Sequence, residues 1–274
     1  MEKDPKISVI SPCFNHGKFI NEMLESVMKQ TFQDFEVIIV NDGSTDDTSE
    51  ILHNITHEKV TIIDIENHGP AFARNTAIKY ARAPLIMNLD ADDKIAPDLL
   101  EKAYAIFSTS SNIGIVYSDA ECFGARSGKY EIGEFTKEAM LYDNRIISQA
   151  FFRRDDWLSV EGYSVEFVHW LEDWDFWLSI IELGGKVVNI PEKLVYYRTY
   201  KDLADCRTGR GKTDRMKMME SLINVFHRHE KLYSTIPSAW NHFSELEKKF
   251  NDEDFLVRKW RNYYYSFKQK YYYK

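Results

Sequence analysis

The sequence predicts an α/β protein: an open, mostly parallel sheet flanked by helices, followed by a helical C-terminal extension. Three observations carry this reading. Short apolar runs recur through the first hundred residues, among them Ile7-Ser8-Val9-Ile10, Phe35-Glu36-Val37-Ile38-Ile39-Val40 and Pro84-Leu85-Ile86-Met87, and turn-forming residues bound them. Segments with helical spacing separate the runs, which is the alternation expected of parallel strands joined by crossover helices. The chain has 274 residues, 44% of them hydrophobic, which is enough to bury a sizeable core. No stretch approaches the roughly eighteen apolar residues that a membrane span needs.

Each element has its own justification. The first strand, residues 7–10, ends in Ser11-Pro12-Cys13-Phe14-Asn15-His16-Gly17, a loop punctuated by Pro and Gly. Residues 19–30 place Ile20, Met23, Leu24 and Val27 at spacings of three and four, as in an amphipathic helix lying on a sheet. The second strand, 35–40, leads into Asn41-Asp42-Gly43-Ser44-Thr45-Asp46 and a helix to about residue 54. A third strand, 60–65, is followed by the Gly69-Pro70 turn and a helix over about 71–82. The fourth strand, 85–89, delivers the acidic run Asp90-Ala91-Asp92-Asp93. Beyond residue 113 the pattern is mixed. Residues 114–118 read as a strand, 124–133 as a turn-rich excursion and 187–191 as another strand end, with a helix to Leu183 that Gly184-Gly185 stops. Residues 212–230 and 240–267 read as largely helical. This organisation divides the chain into 1–100, 101–210 and 211–274, the last a helical extension.

The net charge of −8 argues against a general polyanion binder, so no nucleic acid is expected as a partner. The last twenty residues, 255–274, differ: they hold six Lys or Arg and no acid, interleaved with Trp260, Tyr263, Tyr264, Tyr265, Phe267 and Tyr271 to Tyr273. Such a segment suits an anionic membrane surface, or equally a packing or homodimer contact. The three cysteines, Cys13, Cys122 and Cys206, are scattered and odd in number, which fits a reducing compartment rather than a disulfide framework. With neither a signal-peptide pattern nor a span, the expected location is cytoplasmic, peripheral on the inner face of the membrane if 255–274 takes the first of those two roles.

The acidic run packs three carboxylates into four residues. Acids this close repel, and a buried cluster needs a cation or hydrogen-bond donors. Mg²⁺ typically takes one or two carboxylates and completes its shell with water and phosphate oxygens, so an Asp-x-Asp at a strand end suggests a metal–diphosphate site. Taken alone, the run fits a solvated turn before the helix near Pro97 equally well. Ligands of open α/β sheets lie beyond the carboxyl ends of the strands, where Phe14, Asp42 and Asp92 converge from separate loops. Phe14 can line a base or sugar pocket, Asp42 can accept from a base N–H, Asp92 can hold metal and Arg74 can neutralise phosphate. In the second half, Trp170, Trp174 and Trp177 mix with Glu172, Asp173 and Asp175 within eight residues. A first-turn acid with core tryptophans explains that segment by itself.

Together the motifs resemble the family 2 glycosyltransferases. The matching pieces are Val9-Ile10-Ser11-Pro12-Cys13-Phe14-Asn15, Gln30-Thr31-Phe32, Glu36-Val37-Ile38-Ile39-Val40-Asn41-Asp42-Gly43-Ser44-Thr45-Asp46, Gly69-Pro70-Ala71-Phe72-Ala73-Arg74-Asn75, Leu89-Asp90-Ala91-Asp92-Asp93 and Glu172-Asp173, in order from about residue 6 to 198. The resemblance implies a GT-A type fold and a nucleotide-sugar donor, with UDP favoured. It implies that Pro12, Phe14, Asn15 and Asp42 contact the nucleoside side of the donor and that Arg74, Asn75, Asp90 and Ala91 border the nucleotide-sugar. It further implies that Asp92 binds Mn²⁺ or Mg²⁺, that Asp173 is the general base, and that Trp170, Glu172 and Trp174 face the acceptor. The acceptor would be a glycan or a lipid-linked oligosaccharide of bacterial surface polysaccharide or glycolipid synthesis. Asn41 stands where relatives often carry Asp, and no Gln-x-x-Arg-Trp motif of processive members occurs. A single sugar addition with inversion is therefore expected.

Two rivals stand beside this expectation. A sugar-phosphate nucleotidyltransferase would need a Gly-rich loop after the first strand, and residues 11–17 hold a single glycine. A non-catalytic carbohydrate-binding protein would use Trp170, Trp174 and Trp177 as stacking platforms.

Overall fold

The computed structural model describes residues 4–167, 170–201 and 215–250. Among them a nine-stranded sheet is assembled from β1 (Ile7–Cys13), β2 (Phe35–Asp42), β3 (Val60–Ile65), β4 (Leu85–Asn88), β5 (Lys94–Ile95), β6 (Ile113–Gly124), β7 (Gly128–Lys129), β8 (Phe151–Arg153) and β9 (Lys186–Thr199). The order is β3-β2-β1-β4-β8-β6-β9-β5, with β7 pairing to β6. The first four strands are parallel, as their spacing predicts. β1 is buried but for the half-exposed Pro12, and β2 and β4 are buried along their length, which explains why they read as continuous apolar runs rather than alternating ones.

Helix α1 (Gly17–Met28) lays Ile20, Met23, Leu24 and Val27 on the sheet. It begins two residues earlier than its spacing suggests, because Gly17 allows a close crossing of α2 (Thr48–His53): a Cβ at Gly17 would lie 2.9 Å from Thr48 Cα. The Gly17 N–H donates to Thr48 Oγ1 at 2.7 Å, fastening the two helix starts together. Helix α3 (Pro70–Tyr80) follows Gly69, whose φ of +87° suits glycine, and has Pro at its first position. Helix α4 (Leu99–Thr109) buries Leu99, Leu100, Ala103 and Phe107.

The second half departs from the simple alternation. β8 runs antiparallel to both β4 and β6 and joins the two parts of the sheet through Phe151 and Phe152, both fully buried. β6 and β9 are much longer than the segments expected, pairing over most of their length with irregular register near Ser118 to Ala120. The turn-rich excursion becomes the β6–β7 hairpin. β5 pairs antiparallel with β9, Lys94 with Tyr196, and this sets the acidic loop beside the end of β9. The short α5 (Lys137–Met140) and α6 (Arg154–Ser159) sit in the connections, and α7 (Glu172–Glu182) packs Trp174, Phe176, Trp177 and Leu178 into the core.

The extension is helical where it is described: α8 (Arg215–Arg228), α9 (Glu230–Ser234) and α10 (Pro237–Phe250). Phe226, Tyr233, Trp240 and Phe243 form its aromatic centre, with Phe226 and Phe243 stacked at 5.7 Å. It docks on α7 through charge. Asp175, 1% exposed, receives Arg228 Nε at 2.7 Å and lies 3.1 Å from His229 Nε2. His229 Nδ1 is 3.2 Å from Glu182 Oε2, near enough for an ion pair though outside hydrogen-bond geometry. Among the described residues no helix is long and apolar enough to cross a membrane. The basic–aromatic segment 255–274 and Cys206 lie outside the described residues.

Candidate active site

The carboxyl ends of β1, β2 and β4 form one edge, and the loops there are cross-tied by polar side chains. Asn15, at the end of β1 with φ +56°, donates from Nδ2 to Thr45 Oγ1 and accepts from Thr45 N, and its own N–H donates to Ser44 Oγ. Asp42 is buried at the end of β2. Its Oδ1 and Oδ2 accept the backbone N–H groups of His68 and Gly69, at 2.8 and 2.9 Å, so the carboxylate holds the loop leading into α3. Burial raises its pKa, and those two N–H bonds oppose the rise. Each oxygen keeps a further lone pair. Pro12 and Phe14 are half-buried on the same edge.

The acidic loop shows three separate environments. Asp90 Oδ1 pairs with Arg74 Nη2 at 3.0 Å, and Oδ2 accepts from Ser148 Oγ and Gln149 Nε2. Ala91 is fully buried and spaces the acids. Asp92 Oδ2 accepts from the Tyr200 hydroxyl, and the Asp92 carbonyl accepts from Arg198 Nε at 2.7 Å. Asp93 is 2% exposed: its Oδ1 accepts from Arg198 N at 2.7 Å and its Oδ2 from Gln149 Nε2. Burial pushes the Asp93 carboxyl well above the usual carboxylate range, and the charges of Asp92 and Asp90 push the same way. Asp93 is therefore no solvated turn residue; it is the anchor that ties the loop to β9.

Arg198 reinforces that anchor. Its guanidinium pairs with Glu22 of α1 and lies between the Phe19 and Phe123 rings, 4.1 and 4.3 Å from their centroids. Glu22 also binds Lys94 at 2.6 Å, and its pKa falls because Lys94 and then Arg198 stabilise the carboxylate. The end of β9 is thus fixed over the acidic loop.

Arg74 is buried, not poised over a phosphate. Nε donates to Asn88 Oδ1, Nη2 contacts Asp90 and Ser148, and Nη1 pairs with Glu172 Oε1 at 2.8 Å. Burial by itself would lower its pKa; Asp90 and Glu172 more than reverse this and hold it charged. Glu172 is 3% exposed, so it serves Arg74 rather than an acceptor. Asn75 is likewise committed to structure: Oδ1 accepts from Trp157 Nε1 and Tyr163 N, and Nδ2 donates to the Tyr163 carbonyl. Trp174 is 2% exposed with Nε1 donating to the Met140 carbonyl, so its ring is core and not an acceptor platform. Trp170 is half-buried just before α7.

Asp173 stands in the first turn of α7, after Leu171 in a left-handed conformation with φ +74°. Oδ1 accepts from the Trp174 N–H at 2.8 Å and Oδ2 from Asn144 Nδ2 at 3.1 Å. The rings of Tyr130 and Tyr197, tilted by 39° with centroids 4.6 Å apart, stand nearby. Burial pushes the Tyr130 phenol up to about 12, with the Asp173 charge adding to the shift. Through Arg74 the acidic loop and the start of α7 share one cation, with Asp173 the residue after its partner Glu172. Sequence reasoning missed Gln149, Ser148, Asn144 and Tyr200, which are single polar residues in irregular segments without any spacing pattern.

Among the described residues no group of three or more His, Cys, Asp or Glu side chains converges as a ready-made metal cage. The donor set nevertheless fits a hard divalent ion that uses a single carboxylate: Asp93 is committed to donors on both oxygens, and Asp90 to Arg74, Ser148 and Gln149, which leaves Asp92, bonded to the Tyr200 hydroxyl through Oδ2.

The family profile described as Glycosyl transferase family 2 matches residues 8–158, more than half of the chain. The chain belongs to that family. Among curated family relatives, the chondroitin synthase of Escherichia coli is 31% identical over 192 residues, 67% of this chain and 28% of the synthase. The hyaluronan synthase of Pasteurella multocida is 29% identical over 188 residues, 66% of this chain and 19% of that protein. The chain thus spans under a third of the length of these relatives. The GT-A type fold is shared with S. aureus TarS 1–349 in complex with UDP-GlcNAc, at TM-score 0.66 and 20% identity over 88% of this chain and 72% of that one. The mannosyltransferase PcManGT from Pyrobaculum calidifontis, in complex with GDP-Man and Mn²⁺, aligns at TM-score 0.61 and 20% identity over 89% and 74% of the two chains.

Proposed function

We propose that the chain is an inverting glycosyltransferase that moves a sugar from a nucleotide-sugar, with UDP favoured, to a hydroxyl of a glycan or lipid-linked acceptor in bacterial surface polysaccharide or glycolipid synthesis. The observation that carries this reading is Arg74, which joins Asp90 of the acidic loop to Glu172 beside Asp173 and so supports a carboxylate base opposite the donor loops. TarS was crystallised with UDP-GlcNAc, and chondroitin and hyaluronan synthases are among the relatives, which supports a UDP-sugar and a polysaccharide product.

Asp173 acts as general base. Its carboxylate takes the proton of the acceptor hydroxyl as that oxygen attacks the anomeric carbon opposite the leaving diphosphate, which inverts the centre without a covalent intermediate. Asp42, Phe14, Pro12 and Asn15 hold the nucleoside on the β1–β2 edge, with Asp42 accepting from a base N–H through its remaining lone pairs. Asp90 and Ala91 border the donor sugar. Asp92 would hold Mn²⁺ or Mg²⁺, a reading the Mn²⁺ complex of PcManGT supports; such an ion would stabilise the charge of the leaving diphosphate. Residues 1–100 form the donor side, 101–210 the acceptor side and 211–274 the extension, whose described helices buttress the helix of the base. A cytoplasmic location with peripheral membrane contact through 255–274, and a homodimer, complete the proposal.

The sugar-binding alternative loses support, because Trp174 and Trp177 are core residues. A panel of nucleotide-sugars assayed with Mn²⁺ or Mg²⁺ for release of nucleoside diphosphate tests the function. Slow metal-dependent hydrolysis of one donor is expected; sugar binding without turnover of any donor refutes the enzyme.

A further inference from the structure

We infer that Asn144 is the positioning residue of the base, presenting a fixed amide N–H to Asp173 so that its carboxylate is held ionised and aimed. This rests on the assignment of Asp173 as general base. The orientation of the Asn144 amide is determined by its other contact: Oδ1 accepts the Ile146 backbone N–H at 3.1 Å, so the NH₂ end must face Asp173 Oδ2, 3.1 Å away. A donor to the ionised form of a carboxylate favours that form. The same contact restricts rotation of Asp173, whose Oδ1 is already held by the Trp174 N–H.

The loop that carries Asn144 is itself braced. Trp174, the residue after the base, donates from Nε1 to the Met140 carbonyl at 2.8 Å, so adjacent residues of α7 grip the loop at two points. Arg145, 7% exposed, reaches the Ile132 carbonyl at 3.1 Å. Its guanidinium occupies the space beside Gly133, where a Cβ would lie 2.0 Å from Nη1; with φ +79°, Gly133 is suited to glycine on both counts. Asn144 is half-buried at the surface of this braced loop. Among the described residues, Tyr130 and Tyr163 feel the Asp173 charge, both with pKa values raised by burial first, and the neighbouring Glu172 is neutralised by Arg74. The phenols stay neutral at physiological pH, so Asn144 supplies the base with a polar partner that does not titrate.

Asn144→Asp and Asn144→Ala test this in the full chain. Asn144→Asp retains the Oδ1 acceptor for Ile146 but sets a second carboxylate against the base. The titration of Asp173 is read by ¹³C NMR of Asp-labelled protein without substrate, the resonance assigned by its loss in Asp173→Asn. Asn144→Asp is expected to raise the midpoint by about one pH unit, and Asn144→Ala by less. With the donor selected by the hydrolysis panel, Asn144→Ala should lower kcat about tenfold while donor KM changes less than about twofold. Thermal unfolding serves as the control for a merely structural role, which would lower Tm without moving the midpoint. A midpoint unmoved in Asn144→Asp overturns the proposal while leaving Asp173 as base. Full turnover by Asp173→Asn overturns both.

Discussion

The β1–β4 region and the region from β6 to β9 build the same site by different means. In the first, donor-side residues sit at the ends of consecutive parallel strands, Phe14 after β1, Asp42 at the end of β2 and Asp90 after β4, so their convergence follows from topology. In the second, Asp173 is brought in by a helix whose first turn is held by the loop before β8 and by a cation from α3. Regular elements place the proposed donor contacts; side-chain ties place the proposed base. Changes at the strand-end residues of the first region should therefore act on donor affinity, and changes to the side-chain ties, those from α3 included, on turnover or stability.

The largest effect is expected at the base. Asp173→Asn should leave donor binding nearly intact and lower turnover by about 10²–10⁴-fold, measured as kcat against donor Kd. A parallel loss of donor affinity would erase the distinction between the regions. Arg74→Met comes next, because it strands Asp90 and Glu172 without their shared cation. Removing one partner of a buried pair typically costs about 3–5 kcal/mol, so denaturant unfolding should show a loss of that order, and Arg74→Lys should rescue only part of it because one ammonium cannot reach the guanidinium's separate partners. Asn75→Ala leaves Trp157 Nε1 and the Tyr163 N–H without their acceptor and should cost about 1–3 kcal/mol in the same assay.

The smallest effect concerns the docking of the extension on α7. Burial lowers the pKa of His229, but Asp175 and Glu182 raise it more, so the folded value lies above the unfolded one. A raised histidine contributes stability that is fully present below its unfolded pKa of about 6.5 and is lost as pH rises through the folded value. Tm should therefore fall between slightly acid and alkaline pH, and His229→Gln should flatten that slope. Arg228 remains charged throughout and keeps Asp175 paired in either case. An unchanged slope would show that the clamp is not electrostatic.

The two regions also differ in how far they could be read in advance. Strands β1 to β4, their helices and the convergence of Asp42 with the acidic run were legible, because periodicity and turn residues carry that information. β8 was not: three residues, Phe151 to Arg153, are too few to show a period, yet they join the sheet halves. Burial was the other blind spot. Asp93 read as a turn acid and is an anchor; Trp174, Glu172 and Asn75 read as ligand contacts and are occupied by Met140, Arg74 and the 157–163 turn. A sequence names the polar group but not its partner, and partners far along the chain decide whether a carboxylate meets substrate or another side chain.

The guanidinium of Arg74 has a consequence for exchange between relatives. Its partners Asn88, Asp90, Ser148 and Glu172 are spread over some eighty-five positions of sequence, about a third of the chain. A chimera that joins the donor loops of one family member to the acceptor side of another, with a crossover between Asp90 and Ser148, would inherit a cation shaped for different counter-charges. Altering donor and acceptor preference by recombination in this scaffold thus requires Arg74, Asp90, Ser148 and Glu172 to travel as one unit.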